Sequence, residues 1–233
     1  MKILALDTAT ELCSAALWLD GECLAREDAR GRASGERIMG MIAELLAQSA
    51  LTLARLDAIA FGRGPGGFTG VRLATAVAQG LGFAAGLPLL PISDLRALAQ
   101  RAFSQPGSPP RALICQDARM QQVYWGCFER VEAGSAALGV ASPVGAEAVA
   151  DPEAVGFPPS WIGSLVCGAG SGFEAFPALG LRADLPLTAI AGQLRPRARE
   201  IAVLAAADGL GRALPPEEAQ PIYLRDEVAA PRS

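Results

Sequence analysis

Histidine is missing from this chain altogether, and Lys2 is its one lysine. Without histidine there is no Ser-His-Asp triad, no HExxH zinc motif and no histidine-ligated iron or zinc centre. Without an internal lysine there is no Walker A lysine and no Schiff-base nucleophile. Cysteine is scarce too: Cys13, Cys23, Cys115, Cys127 and Cys167 are odd in number, scattered and never spaced as CxxC. That pattern argues for buried reduced thiols over a disulfide framework or a zinc site. Charge is modest, 20 basic against 24 acidic residues for a formal net charge of −4, so no long-range positive field draws the chain onto a polyanion. Long apolar runs are also lacking. MKILALD meets an acid after four apolar residues, too few for a secretory signal, and a cytosolic protein is expected. Leu73 to Ser93 is uncharged, but Gln79, Pro88 and Pro91 interrupt it before a bilayer could be spanned.

What remains is a folded α/β chain of 233 residues, 51% of them hydrophobic, ample for a packed core. Ile3–Leu6, Cys13–Leu19 and Glu22–Arg26 read as strands, with Asp20-Gly21 a two-residue turn between the last two. Ile38, Met41, Ile42, Leu45 and Leu46 follow helical spacing, with Ser34 as N-cap. A strand at Leu56–Phe61, a glycine-rich loop, a helix at Val71–Ala85, a strand at Leu87–Ile92 and a helix at Ser93–Phe103 complete the first half. SQPGSPP, residues 104–110, is the clearest punctuation and divides residues 1–103 from 104–233. Beyond it the opening pattern returns: an apolar run at Ala112–Gln116 ends at Asp117, a turn follows, and Val123–Phe128 reads as the second strand of a hairpin. Residues Val131 to Pro159 carry little pattern and read as loop and weak strand. A short strand at Leu165–Cys167, a helix at Ile201–Leu210 and an extended tail at Gln220–Arg225 close the chain.

FGRGPGGFTGVR, Phe61 to Arg72, raises the question of function most directly. Gly62-x-Gly64-x-x-Gly67 matches a dinucleotide fingerprint in form, but Pro65 occupies the turn and no acid follows at the required distance. A glycine-rich strand-to-helix turn can still bind an anion on free backbone N–H groups, or its glycines can simply permit a tight corner. Both readings stay open at this point. Asp7 with Thr8 and Thr10 lies at a first hairpin tip, where an actin-like or sugar-kinase-like ATPase places phosphate contacts. Asp117 is the matching residue of the second half, but Arg119 stands where such an ATPase wants a small residue, so a complete ATPase site is not expected. Ala74, Ala78, Gly82 and Gly86 recur every fourth residue beside Leu73, Val77 and Leu81, and a small-residue ridge lets another helix approach closely. Arg195-Pro-Arg-Ala-Arg199 is the one basic cluster and reads as a solvated face.

Four stretches, ILALDTATELCSAALW, FGRGPGGFTGVR, QDARMQQVYW and QPIYLR, together resemble the TsaB family of bacterial tRNA threonylcarbamoyladenosine biosynthesis proteins, in order and across both halves. The resemblance implies a two-lobed actin-like fold, α/β in class and shared with sugar kinases, with a mixed sheet and flanking helices in each lobe. It implies a non-catalytic partner of the transferase TsaD, with the small ATPase TsaE and with tRNA engaged only through the complex. Pairing would run through the first two helices, which assigns Ile38, Met41, Ile42, Leu45, Leu73, Ala74, Val77, Ala78, Leu81 and Gly82 to the partner interface. An exposed helix pair of this kind would also favour a homodimer when the chain is alone. Asp7, Thr8, Thr10, Gly64, Gly66, Gly67 and Thr69 would contribute nucleotide or phosphate contacts shared with the partners. ATP or ADP would be held within the complex, and no catalytic residue, metal or cofactor would belong to this chain itself. Family members often carry a histidine before the first helix; this chain has Ala33-Ser34-Gly35 there. The competing reading is an autonomous ATP-dependent kinase or acyl transferase of the same fold. A protease would need a nucleophile with a base, and without histidine only an unusual Ser, Thr or carboxylate arrangement could supply one.

Overall fold

The computed structural model describes residues 1–29, 35–132 and 139–225. Its first sheet contains β1 (Lys2–Asp7), β2 (Cys13–Leu19), β3 (Glu22–Asp28), β4 (Ala58–Gly62) and β5 (Leu89–Ile92), in the order β3-β2-β1-β4-β5. The β1-β2-β3 meander is antiparallel, while β4 and β5 add in parallel. Asp20-Gly21 turns β2 into β3 with both residues at positive φ, the geometry that aspartate-glycine favours. α1 (Gly35–Gln48) lies on β2 and β3, and α2 (Phe68–Ala85) on β1 and β4. Ser34, expected as the cap of α1, lies outside the described residues. α2 begins three residues earlier than its apolar spacing predicts, directly at the end of the glycine loop.

The second sheet repeats this plan. It contains β6 (Arg111–Asp117), β7 (Val123–Val131), β8 (Val140–Ala150), β9 (Val166–Ala169) and β10 (Ala189–Ala191), in the order β10-β9-β6-β7-β8. The internal duplication glimpsed in two hairpins therefore extends to every strand. β8 overturns the reading of its region as loop and weak strand. It pairs along β7 with a bulge between Trp125 and Cys127. Its sequence contains Pro143 and Gly145, which an edge strand tolerates because its outer N–H groups are not needed for the ladder.

Two helices, α3 (Asp94–Phe103) and α5 (Ala198–Asp208), lie between the sheets and share one core with both, while the short α4 (Gly172–Ala175) follows β9. Ser93 caps α3 by accepting a hydrogen bond from the Arg96 N–H. Contacts from the C-terminal segment cross the division drawn at residues 104–110. α5 packs on β1 and β2, Leu214 bridges to Leu89 of β5, and Ala219 joins the core under α1 and α2. The C-terminal segment thus returns to the first lobe, because the inner face of the first sheet is apolar and needs a cover.

Candidate functional site

The glycine loop leaves β4 at Gly62 and presses onto the tip of the first hairpin. A Cβ on Gly66 would lie 2.7 Å from Ala9 Cβ, and one on Gly70 would enter the Thr8 carbonyl oxygen. Gly64 has φ +97°, a conformation that favours glycine. These close approaches explain the glycines. The Gly67 N–H donates to the Ala9 carbonyl at 2.7 Å, and the Thr8 hydroxyl donates to the Gly70 carbonyl at 2.6 Å. The Gly64 N–H donates to Asp94 Oδ2 at 2.5 Å. On the hairpin side, Asp7 Oδ1 accepts from Ala9 N–H at 2.8 Å and Thr10 Oγ1 from Leu12 N–H at 3.2 Å. Asp7, Thr8, Thr10, Gly64, Gly66 and Gly67 lie at the hairpin tip and the loop pressed onto it, but the bonding groups of Asp7, Thr8, Thr10, Gly64 and Gly67 are taken up by Ala9, Gly70, Leu12 and Asp94 of the protein itself. Thr69 stands exposed on the first turn of α2.

Asp94, the first residue of α3, was not singled out by sequence. It is fully buried beside Asp7, and a Cβ on Gly62 would fall 2.9 Å from Asp7 Oδ1 and closer still to Asp94 Oδ1. Burial pushes the Asp7 carboxyl up to about 6 against the pull of the Ala9 N–H. Burial and then the charge of Asp7 raise Asp94 well above the carboxylate range. The five cysteines are free thiols, and burial raises each of them. Among the described residues no three His, Cys, Asp or Glu side chains are grouped to hold a metal ion. Nor is any described helix long and apolar enough to cross a membrane.

The helix faces named for a partner need correction. Ile38, Met41, Ile42, Leu45, Ala74, Ala78 and Leu81 are buried in the chain's own core, on the outer face of the first sheet. Gly82 is pressed against Leu89, Pro216 and the Leu87 carbonyl. The small-residue ridge does admit a close neighbour, but that neighbour is the lobe's own sheet and C-terminal segment. Leu73 and Val77 are partly exposed. The open face of α2 lies one step round the helix, along Arg72, Ala76, Gly80 and Ala84, with Phe83 62% exposed. On α1 it includes Met39, Gly40, Ala43 and Ala47, with Glu36, Glu44 and Gln48 also exposed beside them. The clue was in the sequence, since residues 76, 80 and 84 also recur every fourth position with small side chains.

Other charges tie the lobes together. Arg195 pairs with Glu11 at 2.6 Å and Glu174 at 2.9 Å, and Arg197 pairs with Glu200 and Glu27. Two of the three arginines of the basic cluster, Arg195 and Arg197, are therefore neutralised and partly buried, so most of the expected solvated face is a set of ion pairs that includes links between the lobes. Arg96 grips Asp208 with two hydrogen bonds of 2.6 and 2.9 Å, linking α3 to α5. Between the edge strands β5 and β8 lies an open cleft of about 660 Å³, lined by Arg63, Arg96, Glu147, Asp208 and Arg212 among others. The tail crosses from one lobe to the other. Ile222 N–H donates to the Arg63 carbonyl, Tyr223 packs beside Phe68 and accepts from Arg72, and Arg225 donates to Gln122 and the Ala118 carbonyl.

Two sheets of one order, two helices between them, and an aspartate-tipped hairpin facing a glycine-rich loop define a two-lobed protein of the actin-like, sugar-kinase-like class. A family model described as tRNA N6-adenosine threonylcarbamoyltransferase, TsaD, matches residues 28–231. The tRNA threonylcarbamoyladenosine biosynthesis protein TsaB of Escherichia coli K12 is 38% identical over 98% of this chain and 96% of its own length. The protein of the same name from Haemophilus influenzae is 49% identical over 54% of this chain and 52% of its own. The solved structure of YeaZ from Pseudomonas aeruginosa superposes with a TM-score of 0.86 at 39% identity, covering 96% of this chain and 99% of that one. The chain belongs to the TsaB family.

Proposed function

We propose that this chain is the non-catalytic partner of a TsaD transferase, in the transfer of threonylcarbamoyl from threonylcarbamoyl-AMP to the adenosine beside the anticodon in tRNAs reading codons that begin with A. The observation that carries this reading is the closed glycine loop. Where an ATPase of this fold would turn backbone donors toward phosphate, Gly64 and Gly67 spend theirs on Asp94 and Ala9. The absence of histidine and of an internal lysine removes the common nucleophile, base and metal chemistries. Neither peptidase nor transferase chemistry then resides in this chain alone. ATP or ADP is held within the complex with TsaD and TsaE, and tRNA meets the chain only there, in the cytoplasm.

The partner surface is the open face of α1 and α2. Met39 and Phe83 stand out from it as large apolar side chains, while Gly40, Ala43, Ala76, Gly80 and Ala84 leave room for another helix. The isolated chain forms a homodimer through the same face. Light scattering coupled to size-exclusion chromatography tests this with the cognate TsaD. A 1:1 heterodimer is expected, lost in Gly80→Arg while the circular dichroism spectrum is kept. Ala78→Arg is unsuitable, because that position is in the core. Stoichiometric ATP turnover by the pure chain with no TsaD complex under any nucleotide condition would instead favour the autonomous kinase or acyl transferase.

A further inference from the structure

The buried carboxyls of Asp7 and Asp94 carry an inference independent of the partner reading. Both side chains are fully buried, one at the end of β1 and the other at the start of α3. Each uses one oxygen well: Asp7 Oδ1 accepts from Ala9 N–H, and Asp94 Oδ2 from Gly64 N–H. Each leaves one buried oxygen without a donor, Asp7 Oδ2 and Asp94 Oδ1. The two carboxyls are within hydrogen-bonding reach of each other. Two ionised carboxylates here would put like charges side by side in a low-dielectric interior, with both orphaned oxygens unsatisfied. Two protons would be one more than the remaining contact can use, since the other oxygens already accept from backbone N–H groups. One proton shared between the two carboxyls removes one of the like charges and gives the pair the donor that it otherwise lacks.

We propose that Asp7 and Asp94 hold a single proton between them in the folded protein, and that this carboxyl–carboxylate bond fastens the glycine loop across the ends of β1 and α3. Asp94 reaches the loop through Gly64, Asp7 reaches the hairpin through Ala9, and the proton joins the two halves of the clasp.

The charged and titratable groups around the pair agree with this. From β8, Glu147 adds negative charge and is itself bonded to Ser93, the cap of α3. Arg63 after β4 and Arg96 on α3 act on Glu147. Cys13 on β2 is a neutral thiol, raised to about 11 by burial and the neighbouring Asp7. Among the described residues no cation pairs with either aspartate.

The sign of the pH dependence follows. A carboxyl that keeps its proton in the fold and loses it on unfolding stabilises the fold fully below the unfolded value. That contribution is lost as pH rises toward the folded value. Between the two values the unfolding constant rises up to about tenfold per pH unit for one such proton.

The test is infrared spectroscopy of the whole chain labelled with ¹³C-aspartate, which separates the pair from Glu147. At pH 7 one protonated aspartate is expected in the wild type. It should vanish in both Asp94→Asn and Asp7→Asn and persist in Asp117→Asn. Urea unfolding between pH 5 and 9 adds a second readout. Asp94→Asn keeps an acceptor for Gly64 and a donor for Asp7, and should lose that tenfold-per-unit slope, whereas Asp94→Ala should be weakened at every pH. A wild type with all aspartates ionised at pH 7, or a protonated band that survives both asparagine variants, overturns the proposal. The wild-type spectrum is decisive even where a variant fails to fold.

Discussion

The two lobes share one strand order, and the same local device opens each of them. Asp7 accepts from the N–H two residues on at 2.8 Å, and Asp117 does the same with Arg119, also at 2.8 Å. In each lobe a glycine after the fourth strand presses its backbone onto the end of the first, Gly70 on Thr8 and Gly172 on Cys115. The outcomes differ. Asp7 is sealed, and an 18-residue helix with an open outer face follows its loop, whereas Asp117 is partly exposed beside Arg119 and only a four-residue helix follows Gly172. The second hairpin also turns through Arg119, Met120 and Gln121 in succession at positive φ, which the first hairpin tip does without. One plan thus supports a lobe that presents a helical surface and a lobe that completes the core. The loops and turns make the difference, while the strand framework is common.

The comparison can be broken most severely at the glycines. Gly70→Ala should cost more than about 4 kcal/mol, because its Cβ meets a backbone carbonyl that cannot rotate away. Urea denaturation of the purified variant, or its failure to accumulate folded, checks this; a loss below about 1 kcal/mol would show that the loop can relax. Arg96→Ala comes next. It leaves Asp208 mostly buried without its partner between the lobes, and a loss of about 3 kcal/mol is expected in the same measurement. At the second hairpin, Gln121→Gly should stabilise by about 1 kcal/mol by relieving a left-handed residue, provided that its backbone stays in place. Arg225→Ala, which removes the tail's hold on Gln122 and the Ala118 carbonyl, should lose about 1 kcal/mol. The smallest effect is expected on the open face. Gly80→Ala meets nothing within the chain itself and, compared by urea denaturation at a concentration low enough for monomers, should raise stability by up to about 1 kcal/mol.

Much of this architecture is legible in the sequence, since β1, β2, β4 and α1 are specified by apolar runs and helical spacing that tertiary contacts only reinforce. β8 was hidden because its pairing with β7 overrides a proline and a glycine that locally argue against a strand. The residues of the glycine loop were found, because close backbone approach leaves glycine as its visible trace. Asp94 was missed because a lone acid at a helix start reads as an ordinary first-turn charge, and its meeting with Asp7 depends on strands β1, β4 and β5 lying side by side. The α2 ridge misled for a related reason. Four-residue spacing identifies a smooth face, but which of two such faces meets the sheet is decided by Leu81 and Val71 turning inward with it.

The return of the C-terminal segment to the first lobe has a consequence for how the chain is made. The inner face of β1 and β2 is covered by α5, which follows every strand of both sheets in the chain, and β5 gains its outer neighbour only at Leu214. While both sheets are being made that apolar face is therefore without its natural cover, and the first lobe closes only once α5 has followed them. A nascent chain of this design depends on α5 being made, or on a chaperone, to hide that surface.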